Sequence, residues 1–203
     1  YLKDGSTPDI FEFLESGYPS KDYEYILSRT KFNSFFTSML SRDSDIMYIT
    51  VFKKSDNSFY QYSRRYPSTL SESEFGFTQR LAQINDKTAK LNVLPAFSPG
   101  YLKDSTKKVY SLTANLKAPG TVKDIGLLIM DFNTHGITEA LTQYVKEVKG
   151  DILVLNPDGS VVYNLSGKFY DRKYPYIDLL KKDPQSGIIE NEESIININT
   201  SNS

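Results

Sequence analysis

The chain has 203 residues, enough for one large domain or two small ones that each bury a core. Its 24 Lys and Arg against 25 Asp and Glu, with no basic block, leave no footprint for nucleic acid, and that partner is excluded. The absence of cysteine removes disulfides, thiol catalysis and cysteine zinc sites, while 15 Tyr and 12 Phe stand ready for core and pocket walls.

Asp9 to Ser16 reads as a short helix with Pro8 in its first turn, broken by Gly17, Tyr18 and Pro19. A longer helix of about 20 residues is expected from Ser20, with Ser20 as N-cap and Asp22 and Glu24 favourable to the helix dipole. Its apolar positions are Tyr23, Ile26, Leu27, Phe35, Phe36, Met39 and Leu40. A hairpin follows: Asp45 to Phe52, a polar turn, then Phe59 to Ser63. Ser71-Glu-Ser-Glu74 matches a capping box for a helix to about Ile84, with Phe75, Leu81 and Ile84 buried.

Three strands come next: Asn92 to Phe97, Val109 to Leu116 and Ile125 to Phe132. They are joined by the turn-rich stretches Ser98-Pro-Gly100 and Ala118-Pro-Gly120. The near-continuous apolar run Gly126 to Met130 predicts a central, buried strand. Thr134 to Lys149 has a helical stripe. Asp151 to Leu155 and Ser160 to Asn164 form a second hairpin around Asn156-Pro-Asp-Gly159. Tyr174 to Lys182 reads as a short helix and Gly187 to Asn199 as a β-rich tail. Hairpin, helix, then antiparallel strands is an α+β order, not the alternation of a parallel sheet.

Few residues carry recognisable chemistry. His135 stands alone with no metal-ligand spacing around it, so a structural or solvent-exposed role is expected. No nucleophile elbow or phosphate-cradling glycine loop occurs, and Glu72/Glu74 and Glu192/Glu193 read as a helix start and a solvated loop. Asp131 ends an apolar strand, where burying a carboxylate is costly unless it is paired. Two roles are open for it: accepting hydrogen bonds from a ligand, or capping the next helix beside water. Tyr60, Tyr62, Phe97, Tyr101 and Tyr110 are candidates to line a pocket with Asp131, since ring faces stack on small molecules and hydroxyls orient them. Core or strand-surface packing is the alternative for each. Arg64 and Arg65 suit a carboxylate or phosphate, but neighbours on a strand face opposite ways, so at most one is expected to serve.

A long helix feeding DIMYITVFKKSDNSFYQYS, then KVYSLTANLK, IGLLIMDFN and GDILVLNPDGSVVYNLSG, resembles the double Cache extracellular domains of bacterial receptors, especially sensor histidine kinases. The resemblance spans about Ser20 to Gly167. It implies a long N-terminal helix followed by PAS-like lobes with central antiparallel sheets: a helical segment at 1–42, a membrane-distal lobe at 43–133, a linker helix at 134–149 and a partial membrane-proximal lobe at 150–203. The amino-acid-binding branch carries an Arg and a Trp-Tyr pair at its pocket. This chain has no Trp, Pro95 to Lys103 offers no Arg, and only Tyr110 and Asp131 match that branch's polar residues.

The resemblance therefore implies an extracytoplasmic sensor domain at the cell membrane that binds a sugar, carboxylate or other small metabolite. No catalysis and no cofactor are expected of it, and the receptor would be a homodimer. The chain begins at Tyr1 and has no apolar run near the roughly 18 residues of a membrane span, so flanking transmembrane helices are expected outside it. The rival expectations are a chemoreceptor input domain and a dimerising interaction module without a small-molecule ligand.

Overall fold

A computed structural model describes residues 7–17, 22–65, 76–83, 91–102, 107–145, 151–170, 172–182, 188–190 and 195–197. The first helix, α1, spans Thr7–Glu15, and its buried Ile10, Phe13 and Leu14 recur at the three- and four-residue steps of one helix face. The long helix α2 spans Tyr23–Arg42. Asp22 occupies its N-cap position, two residues beyond the expected Ser20, which lies outside the described residues.

The buried stripe of α2 is Tyr25, Ser28, Phe32, Phe36 and Leu40. Tyr23 and Ile26, expected on the apolar face, are 73% and 53% exposed. Successive residues turn by about 100°, and the continuous three- and four-residue ladder through Tyr25 and Phe32 leaves those two on the flank.

The central sheet is antiparallel, in the order β2-β1-β5-β4-β3, with β1 at Ile46–Lys53, β2 at Ser58–Tyr62, β3 at Asn92–Phe97, β4 at Val109–Lys117 and β5 at Asp124–Asn133. The apolar β5 is therefore the middle strand, as its sequence predicts. Gly126 is required there, because a Cβ would lie 2.6 Å from the Phe52 carbonyl oxygen. Pro95 sits in the edge strand β3 at a register irregularity between Leu94 and Phe97, where the missing N–H disrupts little.

Strand alternation gives the sheet two faces. On one, Ile49, Val51 and Ile125 pack with α1 and α2, and Phe13, Phe32 and Tyr60 form an aromatic cluster with centroids 4.7–5.4 Å apart. Lys53, also on this face, is fully buried; its Nζ lies 3.0 Å from Asp56 and 4.4 Å from the Phe13 ring centroid. It also donates to Ser16 Oγ and the Gly17 carbonyl at the end of α1, where a cation is favourable.

On the opposite face lies α3, at Phe77–Ala82, entered through Gly76 in the left-handed region at φ 68°. The capping box at Ser71–Glu74, and Phe75 and Ile84, lie outside the described residues; the buried residues of α3 are Phe77 and Arg80, with Leu81 partly buried.

After β5, α4 runs over His135–Val145. The hairpin β6 (Leu153–Leu155) and β7 (Val161–Asn164) follows, then α5 (Ile177–Lys182) and the pair β8 (Ile188–Glu190) and β9 (Ile195–Asn197). Asn156 donates its side-chain amide to the Val93 carbonyl of β3 at 2.9 Å, and Thr138 of α4 meets Tyr163 of β7 at 3.1 Å. The first contact ties the β6–β7 hairpin to the large sheet, and the second ties it to α4. Among the described residues, no helix is long and apolar enough to cross a membrane.

Candidate functional site

The α3 side of the sheet carries a buried polar cluster. Register places Tyr48 of β1, Asp131 of β5, Ser111 of β4 and Leu94 of β3 in one row across four strands. Asp131 is 1% exposed and would be prohibitively placed without partners. Arg80 of α3 supplies them through a two-point fork, Nη1 to Oδ1 at 2.5 Å and Nη2 to Oδ2 at 3.1 Å. Tyr101 donates its hydroxyl to Oδ2 at 2.7 Å, and Ser111 donates to Oδ1 at 2.7 Å.

Rings close the cluster. The Arg80 guanidinium lies 4.2 Å from the Phe97 ring centroid, a cation–π contact. Tyr101 stacks on Tyr48 at 4.9 Å, and the Tyr48 hydroxyl reaches Gln61 at 3.3 Å.

The next row is Gln61, Thr50, Ile129, Thr113 and Asn92. The Thr50 and Thr113 hydroxyls flank Ile129, are buried, and have no hydrogen-bond partner among the described residues. Unpartnered buried hydroxyls are uncommon and each calls for a cause. Here they lie one row from an ion pair.

Of the residues singled out from sequence, the structure brings together Asp131, Tyr101 and Phe97. It places Tyr60 and Tyr62 on the opposite, helix-bearing face: Tyr60 packs on Phe13 and Phe32, while Tyr62 stacks on Phe36 at 5.4 Å and donates to Asn33 at 2.7 Å. Tyr110 also points away from Asp131, stacked on Phe132 at 5.4 Å. Parity is the reason, since Ser111 and Asp131 face α3 and their neighbours Tyr110 and Phe132 must face the other side. For Tyr62 and Tyr110, partial burial pushes the phenol pKa above its ordinary value of 10.0.

Of the two open roles for Asp131, helix capping and water contact are excluded by its burial; the side chain that prepares α4 is Asn133, which accepts from the His135 N–H at 2.8 Å. His135 is exposed and lies 3.0 Å from Glu139, one turn along α4. Sequence reasoning missed Arg80, Ser111, Tyr48, Thr50 and Thr113. The one available signal for Arg80 was indirect: a carboxylate closing an apolar strand demands a cation, and α3 carries a single arginine. Among the described residues, no group of acidic or imidazole side chains is arranged to hold a metal ion.

The fold is α+β, with an N-terminal helical layer on a five-stranded antiparallel sheet. No protein-family model matches the chain, and no curated protein matches it. Among solved structures it is similar to the ligand-binding domain of the amino acid chemoreceptor PctC of Pseudomonas aeruginosa PAO1 in complex with GABA. The identity is 11% and the TM-score 0.50, over 93% of this chain and 77% of that one. It is also similar to the ligand-binding domain of the Pseudomonas fluorescens chemoreceptor CtaA. The complex with L-valine gives 12% identity and TM-score 0.51 over 83% and 70% of the two chains. The complex with L-isoleucine gives 12% and 0.52 over 83% and 68%.

Proposed function

We propose that this chain is the extracytoplasmic small-molecule-sensing domain of a membrane receptor, with the Arg80–Asp131 cluster as its ligand site and no catalysis of its own. The observation that carries the reading is a buried ion pair on the sheet face opposite the long helix, with hydroxyl donors on it and two unpartnered threonine hydroxyls beside it.

The chemistry of the pair favours one ligand class. A ligand that satisfied Asp131 alone would leave Arg80 buried and unpaired, at a cost of several kcal/mol, about 3–5 for such a broken pair. A zwitterion supplies both charges at once: its ammonium to Asp131 and its carboxylate to Arg80, beside the hydroxyls of Tyr101 and Ser111. The similar solved domains hold GABA, L-valine and L-isoleucine, which supports an amino-acid-like ligand over a sugar. Arg80 takes the place of the arginine that Pro95 to Lys103 does not offer.

In this reading residues 43–133 form the membrane-distal lobe, 134–149 the linker helix and 150–203 the membrane-proximal lobe of a receptor dimer flanked by transmembrane helices. Ligand affinity must differ between two arrangements of the domain for the signal to pass, because equal affinity shifts nothing. The output is a histidine kinase. The chemoreceptor input reading is the second one, favoured by the nature of the similar solved domains.

Isothermal titration calorimetry with GABA, L-valine, L-isoleucine, dicarboxylates and sugars tests the site. Saturable binding of an amino acid that weakens by about tenfold or more in Tyr101→Phe and Ser111→Ala, both of which keep the ion pair, supports it. Binding that both variants leave unchanged places the ligand elsewhere. Phosphorylation of a histidine in the full-length receptor distinguishes the kinase output from the chemoreceptor one.

A further inference from the structure

A concavity lies away from Asp131, at the end of the sheet that meets the C-terminal segment. The antiparallel ladder brings the ends of β2 and β5 and the starts of β1 and β4 to one edge, as the pairs Ile46 with Phe132 and Val109 with Asn133 show. Between that edge and the chain after β7 is a cleft of about 670 Å³, within the roughly 300–1,000 Å³ of small-molecule sites. Arg64, Arg65, Lys107, Lys108 and His135 border it, and among the described residues no carboxylate lines it.

Arg64 and Arg65 both border the cleft, although strand alternation predicted that at most one would serve. The strand ends at Tyr62, and the bend that follows frees both side chains from the alternation. Among the described residues, neither arginine nor Lys107 makes an ion pair; Arg64 donates instead to the Asp43 carbonyl. The nearby acids are committed elsewhere. Asp45 accepts from Asn133 and sits against Gly136 at the start of α4, and Glu139 pairs with His135. The opposite wall is polar: the Thr138 and Tyr163 hydroxyls bond each other at 3.1 Å, and Asn164 and Ser166 donate to Asp151, whose carboxylate is held by these neutral groups.

We propose that this cleft binds a small multivalent oxyanion, a phosphate ester or a polycarboxylate, held by Arg65 and Lys107 with Arg64 and Lys108 beside them. Cations converging on a concave surface attract such ions from solution, and guanidinium groups take their oxygens in pairs. The ligand would touch both the large sheet and the C-terminal segment, at the place where movement of one against the other would be felt.

Calorimetric titration of the 203-residue chain with pyrophosphate and with citrate, at low ionic strength and again in 0.15 M salt, tests this. Saturable binding is expected, weakened by salt because the groups are exposed. It should weaken by about tenfold or more in the double variant Arg65→Gln, Lys107→Gln. The control Lys54→Gln, Lys123→Gln removes equal charge at the far end of the sheet and should leave binding intact. Pyrophosphate binding alone points to a phosphate ester, citrate binding alone to a polycarboxylate. Amide shifts in the wild-type protein should cluster at Thr134–Thr138 and Ser166–Gly167. Binding of neither anion, equal weakening by the control pair, or shifts confined to other regions overturns the proposal.

Discussion

Arg80 and Asp131, 51 positions apart, meet in a two-point ion pair whose side chains are 4% and 1% exposed, and each is the other's counter-charge. The pair joins the six-residue helix α3 to the central strand, so its loss should be felt in stability as well as in binding.

Arg80→Gln or Asp131→Asn alone should cost about 3–5 kcal/mol, because the remaining charge stays buried without its partner. The joint replacement Arg80→Met, Asp131→Leu should recover most of that loss while abolishing ligand binding, since an apolar pair of similar volume needs no counter-charge. Urea unfolding of the three variants measures it. A double variant as unstable as the sum of the single ones would mean that the pair's geometry, not its charge balance, holds α3 in place.

Tyr62→Phe should leave ligand affinity at the Asp131 cluster unchanged and lower stability by about 0.5–1.5 kcal/mol through loss of the bond to Asn33. Calorimetry and urea unfolding of the same variant report both quantities. Altered affinity with unaltered stability would contradict the placement of Tyr62 on the helix-bearing face.

The Lys53–Asp56 pair predicts an acid-sensitive link between α1 and the first hairpin. Burial pushes the Asp56 carboxyl up, but hydrogen bonds from Ser58 and Lys53 and the Lys53 charge outweigh it, and the native value lies below the ordinary 3.8. A depressed native pKa adds stability that is complete above the unfolded value and disappears as pH falls from 3.8 through the native value. Asp56→Asn should therefore flatten the fall in stability below 3.8 and lower stability at neutral pH, where Lys53 is left buried beside no carboxylate. Thermal unfolding followed across pH shows both effects, and an unchanged acid slope would remove Asp56 from the account.

Gly159 takes φ 85° in the turn between β6 and β7, and a Cβ there would lie 2.7 Å from Ile177 Cγ1. Gly159→Ala should cost roughly 1–2 kcal/mol for the left-handed conformation alone, with the α5 contact adding to it. Hydrogen exchange should quicken at the Gly159 and Tyr174 amides, which donate to Asn156 and to Gly159 itself. Protection unchanged at both would show that the turn adapts to the side chain.

Local chemistry along the chain was enough to locate most elements and the class of fold. Alternation and turn residues marked β1 to β5 within a residue or two, the Asn156-Pro-Asp-Gly159 turn closes β6 on β7, and the apolar run through Gly126 marked the central strand. Sequence also identified Asp131 as out of place at the end of that strand. Its partner was not legible, because nothing near Arg80 in the chain distinguishes a buried guanidinium from a solvated one. Nor could periodicity say which side of the hairpin would meet α1 and α2. Alternation shows that Tyr60 and Tyr62 share a face and that Gln61 takes the other, but the choice between faces is made by packing. Only the order β2-β1-β5-β4-β3 sets Tyr48, Asp131 and Ser111 in one row beneath Arg80, and that order comes from non-local pairing and burial, which no short stretch of sequence encodes.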